Sequence, residues 1–353
     1  MSSSVSPAQS VVTRWLEEKL RNLMVFQDAG RAQRLRRAVL EQKTTQQAAQ
    51  FINPFDIRDV LALDADTLSS ALASGGVAPD DLAVVMRSLP EQEARLLAAK
   101  WPEAQRIVSE EAGERTPADE AQARRRVLDA LFWELTYWHT PDLYDDLTAG
   151  ETVHPGIFEQ LTPRLRDAIA LDAGAGSGRA TFPSVEAGAL HVYAAEPSPG
   201  LRRLLQRKVE RREESTRVTV LPGRFDALPL DDATVDVALA CSSFTRERES
   251  GGEGGLRELR RVTRPGGLIV IIWPRPEDFR WLAEHGFAYV ALPVREEPVV
   301  RFRSYESAWR CASRFYGRNE RVLAWLRETR LAEVPFSLVG ANPPHDYCWL
   351  RVQ

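Results

Sequence analysis

The feature that most constrains this chain is the stretch 168–182, AIALDAGAGSGRATF. An apolar run ends in Asp172 and gives way to Gly174, Gly176 and Gly178 at every second position, after which helical character resumes. That pattern predicts a strand, a glycine turn and a helix start. Glycine has no Cβ, so the turn can take positive φ and let a ligand approach the backbone, while the helix behind it presents unpaired N–H groups. The dinucleotide fingerprint G-x-G-x-x-G spaces its glycines differently. A nicotinamide-dependent oxidoreductase is therefore a weak reading. Strand-to-helix turns are also glycine-rich for packing reasons alone, so the neighbouring segments have to decide the case.

At 353 residues the chain exceeds one usual hydrophobic core and predicts about two domains. Its 44% hydrophobic and 27% charged residues give a soluble globular balance. A net charge of −4 argues against a general nucleic-acid or anionic-membrane binder. Cys241, Cys311 and Cys348 lie far apart without C-x-x-C spacing, which predicts neither a disulfide frame nor a zinc site. The opening MSSSVSPAQSVVTRW has no apolar signal region, and no run reaches the roughly 18 apolar residues of a membrane span. A cytoplasmic protein with no membrane, nucleic-acid or metal partner is the expectation.

Residues 11–50 read as helical, with Val12, Leu16, Leu20 and Leu23 near helical spacing. Arg31, Arg34, Arg36 and Arg37 form a basic cluster, but Glu17, Glu18, Asp28 and Glu41 interleave with it, as on a solvated helix face. From 51 to 131 come short helices between turn signals: DIRDVLAL, DADTLSSALAS, APDDLAVVMRSL, EQEARLLAAKW and EAQRIVSEEAG. Each is too short to be stable alone, so they must pack on one another. Residues 51–131 resemble, through loose apolar patterns, the middle domain of flagellar motor-switch proteins of the FliG type. The resemblance implies a protein-interaction module and a protein partner, without a flagellar role; a generic helical bundle explains the same pattern. The expected organisation is an α-helical module at 1–131, an aromatic linker helix at 132–150, and a second domain at 151–353.

The linker, FWELTYWHTPDLYDDL at 132–147, is the most aromatic stretch. Aromatic residues at helical spacing are usually core.

The segments after the glycine turn agree with one another. A run from His191 to Ala195 ends in Glu196, and Ser198-Pro199 open the next helix. An acid at the end of a second strand can accept from both vicinal ribose hydroxyls in open α/β folds. Strands are predicted at 217–221 and 235–241, with Ser242, Ser243 and Phe244 at the carboxyl end of the latter. The run LRELRRVTRPGGLIVIIWP gives a helix, a Pro265-Gly266-Gly267 turn and a buried strand; FRWLAEHGFAYVAL and DYCWLRVQ supply further strands. Between these last two, residues 295–345 form an aromatic-rich insertion.

Glycine turn, acid-ended second strand, the frame Gly223, Leu228, Pro229, Asp232, Asp236, and the RPGG strand together resemble class I S-adenosylmethionine-dependent methyltransferases, with a type 11-like core. The resemblance implies a Rossmann-like α/β fold with a seven-stranded sheet whose last strand runs antiparallel beside the sixth, here behind an N-terminal all-α domain, and S-adenosyl-L-methionine as cofactor. It implies Gly174, Gly176 and Gly178 for the aminoacid part, Asp172 for orienting the loop or the amine, and Glu196 for the ribose. Phe225 and Asp226 fall to the adenine, Ser242 is a further cofactor contact at the strand end, and the resemblance sends the Tyr144-Asp145 segment across the site, with His139 then as a base. One departure stands out: many relatives carry an acid directly after the glycine at the adenine pocket, and this chain has Arg224. No Asp-Asp pair suggests a catalytic metal, and no histidine has a sequence partner that marks a base, so no catalytic residue is assigned. The insertion is expected to be a helical lid, and a small molecule is a better acceptor than a protein. The rival reading is a non-catalytic adaptor or ligand sensor built on a degenerate methyltransferase fold.

Overall fold

The computed structural model describes residues 7–23, 26, 28–74, 76–100 and 116–353. The helix expected over EAQRIVSEEAG lies outside the described residues.

The chain divides into two compact units: 1–51, 145–197 and 201–353 in one, and 52–144 with 198–200 in the other. The first is built on strands β1 (Ile169–Ala173), β2 (His191–Ala195), β3 (Val218–Leu221), β4 (Val235–Cys241), β5 (Thr263–Ile272), β6 (Ala288–Ala291) and β9 (Asp346–Arg351), in the order β3-β2-β1-β4-β5-β9-β6. β1 to β5 pair in parallel, and β9 runs antiparallel between β5 and β6. This is the Rossmann-like seven-stranded sheet anticipated above. Parallel strands need both faces covered, and Ala170, Leu171, Val237, Leu239, Ile269 and Val270 are accordingly buried. The strand order reverses between β1 and β4, and a crevice opens outside the carboxyl ends at such a switch point.

β5 begins earlier than expected. Thr263 pairs with Val235, and after an irregularity the ladder resumes with Leu268 opposite Val237, so the RPGG turn is an outward loop within the strand. Gly266 takes φ +81°. A side chain at Gly267 would strike the Asp236 carbonyl and Thr263, which explains the second glycine.

The insertion holds the helices Tyr305–Phe315, Glu320–Thr329 and Phe336–Val339. It also holds a ribbon unforeseen in the sequence, β7 (Val299–Arg301) antiparallel to β8 (Glu333–Pro335). Strands of three residues are too short for an alternation pattern to register. Phe302, Phe315 and Tyr316 are buried.

The sequence reading draws a domain boundary at 131, whereas contacts group residues 1–51 with the sheet. The helix Pro7–Leu23 explains this: Trp15 stacks on Tyr289 (5.2 Å between centroids) and meets Phe279 edge-on (5.6 Å). Four residues on, the fully buried Lys19 donates to Asp346, which also accepts from the Tyr289 hydroxyl at 2.9 Å. A buried cation is tolerable only when so paired.

The second unit is helical. Ile57–Leu61, Ala65–Ser74, Pro79–Ser88, Glu91–Lys100, Pro117–Ala130 and Phe132–His139 surround a core that includes Val60, Leu63, Leu68, Leu97, Val127, Leu131 and Leu135. Capping boxes at Asp56 with Asp59 and at Thr116 with Asp119 start two of these helices. Within this unit Tyr137 packs edge-on against Tyr144 (4.6 Å), and His139 Nε2 lies 2.9 Å from the Asp59 carbonyl oxygen.

Candidate active site

β1 delivers Asp172 and the turn to the switch point. The turn is held by backbone: the Gly174 and Ala175 N–H groups both donate to the Ala195 carbonyl (2.8 and 3.0 Å), and Gly178 N–H donates to the Ala175 carbonyl (2.8 Å). The three glycines are not equivalent. A Cβ on Gly178 would lie 2.5 Å from the Phe182 ring and 2.9 Å from Leu205, so this glycine serves close packing of the turn against the helices Thr181–Glu186 and Pro199–Arg211. A Cβ on Gly176 would meet nothing within 4 Å, although φ is +55°. Gly176 is the part of the turn left open to a ligand. At Gly174 the neighbour is Ser243, whose hydroxyl donates to the Ala173 carbonyl (3.1 Å).

The structure brings Glu196 onto this loop. It is 5% exposed at the end of β2, and its Oε2 accepts from the Gly176 N–H at 2.7 Å. Asp172, 1% exposed, accepts from the Thr181 hydroxyl (2.6 Å) through Oδ2, while Oδ1 has no partner. Burial pushes its carboxyl up to about 6, with the Thr181 hydrogen bonds acting in the opposite sense.

Side chains then brace the turn from outside. Lys208 donates to the Ser177 carbonyl (2.7 Å) and to Asp145 Oδ1 (2.6 Å), and Arg303 donates to Asp145 Oδ2 (2.9 Å). Ser177 and Thr148 hydroxyls lie 2.9 Å apart. Asp145, expected to cross the site beside Tyr144, is thus committed to a lysine and an arginine.

On the adenine side, Phe225 reaches the turn: its Cζ would lie 3.3 Å from a Cβ at Gly174, and its ring packs edge-on against Phe244 (5.2 Å). Asp226 accepts from Arg224 Nε at 3.2 Å in an exposed pair. Ser242 follows β4 with φ +59°, its N–H donating to the Ile272 carbonyl (2.9 Å).

All five histidines are engaged locally: His139 with Asp59, His154 with the Gly156 N–H, His191 with Thr219, His285 with Glu253, and His345 with the Leu292 carbonyl. Among the described residues no group of histidine, cysteine and acidic side chains could hold a metal ion.

Sequence reasoning missed Thr181, Lys208 and the buried pair formed by Glu151 and Arg179, whose Nη2 donates to Glu151 Oε2 at 2.7 Å. Glu151 and Arg179 lie 28 positions apart, and no spacing rule connects them.

Residues 171–271 match the family described as a methyltransferase domain. The matched span runs from β1 into β5 and includes the glycine turn, Glu196, Phe225 and Ser242. The helical unit and the insertion lie outside it. The chain is 31% identical over 147 residues to an uncharacterized methyltransferase of Mycobacterium tuberculosis, covering 39% of this chain and 56% of that protein. It is 39% identical over 75 residues to a histone-arginine methyltransferase of Drosophila erecta, covering 21% of this chain and 14% of that one. The chain therefore spans about half the length of the mycobacterial relative. A solved S-adenosylmethionine-dependent methyltransferase from Aquifex aeolicus is similar at 24% identity and a TM-score of 0.35, over 46% of this chain and 90% of that one. No described helix is long and apolar enough to cross a membrane.

Proposed function

We propose that this chain is an S-adenosylmethionine-dependent methyltransferase acting on a small-molecule acceptor. The observation that carries the reading is the junction of Glu196 with Gly176: a buried carboxylate at the end of β2 meets the one glycine of the turn whose outer side is open. These residues fit the cofactor. Gly176 offers an open backbone face to its aminoacid part, Glu196 can accept from ribose hydroxyls, and the Phe225 ring offers a face to adenine. Asp226 is the weaker adenine contact, because its carboxylate is already paired with Arg224. Asp172 keeps a buried oxygen able to orient an amine.

When bound, the cofactor supplies a methyl group activated by its sulfonium charge. The chain's own part is to align the acceptor and exclude water. The rigid, backbone-braced turn suits the first task. The insertion, as a lid, would serve the second, and the helical unit would dock a protein partner.

Calorimetric titration with S-adenosylmethionine, S-adenosylhomocysteine and NAD tests the reading. Binding of the first two and not the third is expected. Failure of both adenosyl ligands to bind would leave the adaptor reading in its place.

A further inference from the structure

A second set of buried polar atoms gathers beside the carboxyl ends of β4 and β5. Glu151 follows the helix Pro141–Gly150, Arg179 directly follows Gly178, Cys241 ends β4, Trp273 follows β5, and Tyr316 follows the helix Tyr305–Phe315. Arg179 joins them: it donates to Glu151 Oε2, and its guanidinium lies 5.3 Å from the centre of the Trp273 ring. Glu151 is 2% exposed and its Oε1 has no hydrogen-bond partner; Tyr316 is 1% exposed and its hydroxyl has none either.

Burying a carboxylate oxygen and a phenol without partners is unfavourable unless something else completes their hydrogen bonds. The two groups feel each other, since the charge of Glu151 adds to burial in raising the Tyr316 phenol. Burial likewise raises the Glu151 carboxyl, against the pull of Arg179 and Thr45. Trp273 sits in the left-handed region at φ +58°, a conformation bulky residues rarely adopt and one that collects at functional positions. It is pinned there by its indole N–H, which donates to the Asn342 carbonyl (2.9 Å), and by Phe336 packed edge-on.

Resting on the methyltransferase reading above, we propose that Glu151 and Tyr316 form the acceptor subsite and that the acceptor is a flat ring bearing an N–H or O–H donor, held by Glu151 against Trp273. The Arg179 charge is already matched by Glu151, so the site as a whole carries no excess positive charge for an anion. What remains open on Glu151 is an acceptor oxygen, which selects a donor. The Tyr316 hydroxyl can donate to the lone pair of the same phenol or amine.

Saturation-transfer NMR in the presence of saturating S-adenosylhomocysteine tests this with 4-methylphenol, aniline, methoxybenzene and benzoate. The two donors are expected to bind at least tenfold tighter than the ether and the carboxylate. Glu151→Gln should remove most of that preference, and Tyr316→Phe, which keeps the ring, should weaken 4-methylphenol about threefold or more. Both variants should hold S-adenosylhomocysteine within twofold of the parent. Equal binding of 4-methylphenol and methoxybenzene, or binding of none of the four by a protein that holds S-adenosylhomocysteine, overturns the proposal. A tenfold loss of S-adenosylhomocysteine affinity in Glu151→Gln also overturns it, by assigning the pair to the cofactor. A parent protein that does not bind S-adenosylhomocysteine at all defeats the methyltransferase reading itself.

Discussion

The carboxyl ends of β1 and β2 and those of β4 and β5 lie in one sheet, yet the two halves of the crevice are built by different means. On the β1–β2 side, backbone does the shaping: glycine φ values, amides donating to the Ala195 carbonyl, and one acid on a loop amide. On the β4–β5 side, side chains from four separated segments converge, namely Glu151, Arg179, Trp273 and Tyr316. A backbone site requires a fixed local pattern and suits a ligand common to many proteins. A side-chain site can be rebuilt residue by residue, and suits whatever is particular to one chain.

The sharpest way to break this contrast is at the glycines. Gly178→Ala forces a Cβ to 2.5 Å from Phe182 at φ +95°, and should cost about 3–4 kcal/mol in urea unfolding. Gly176→Ala meets no clash and should cost about 1 kcal/mol, from its left-handed backbone alone. Equal losses would mean that the open face at Gly176 is not real.

The next largest effect concerns Asp172. Its folded carboxyl lies at about 6 against an unfolded 3.8, so the native state binds the proton more tightly. The resulting penalty is absent below about pH 3.8, grows as pH rises, and is complete above about pH 6, where it amounts to about 3 kcal/mol. Asp172→Asn should abolish that part of the fall in stability between pH 4 and 7, as read from urea midpoints across the range. A variant with the parent's pH slope would place the titrating group elsewhere.

Glu196→Ala tests the cofactor half directly. Losing charged hydrogen bonds to ribose should weaken S-adenosylhomocysteine by about 1–3 kcal/mol in calorimetry. Unchanged affinity would remove Glu196 from the site. Smallest of all, Arg224→Ala breaks only an exposed pair with Asp226 and should change stability by less than about 0.5 kcal/mol. A large gain in cofactor affinity would show instead that Arg224 had been obstructing the adenine side.

The sequence by itself determined the parts whose physics is local. A glycine turn after an apolar run, an acid closing the next strand and the RPGG turn are each set by neighbouring residues, so the sheet and the turn at its switch point could be read directly. Phe225 was legible as a ring beside the turn, but the exposed pair of Asp226 with Arg224 was not. Tertiary structure alone decided which glycine packs and which stays open, since that turns on where Phe182 and Leu205 arrive. It also decided that the helix Pro7–Leu23 joins the sheet, through Trp15 against Tyr289 and Lys19 against Asp346. The Glu151–Arg179 pair and Tyr316 belong to the same class. Burial and pairing across long sequence separations follow from how segments meet, and no periodicity in the chain encodes them.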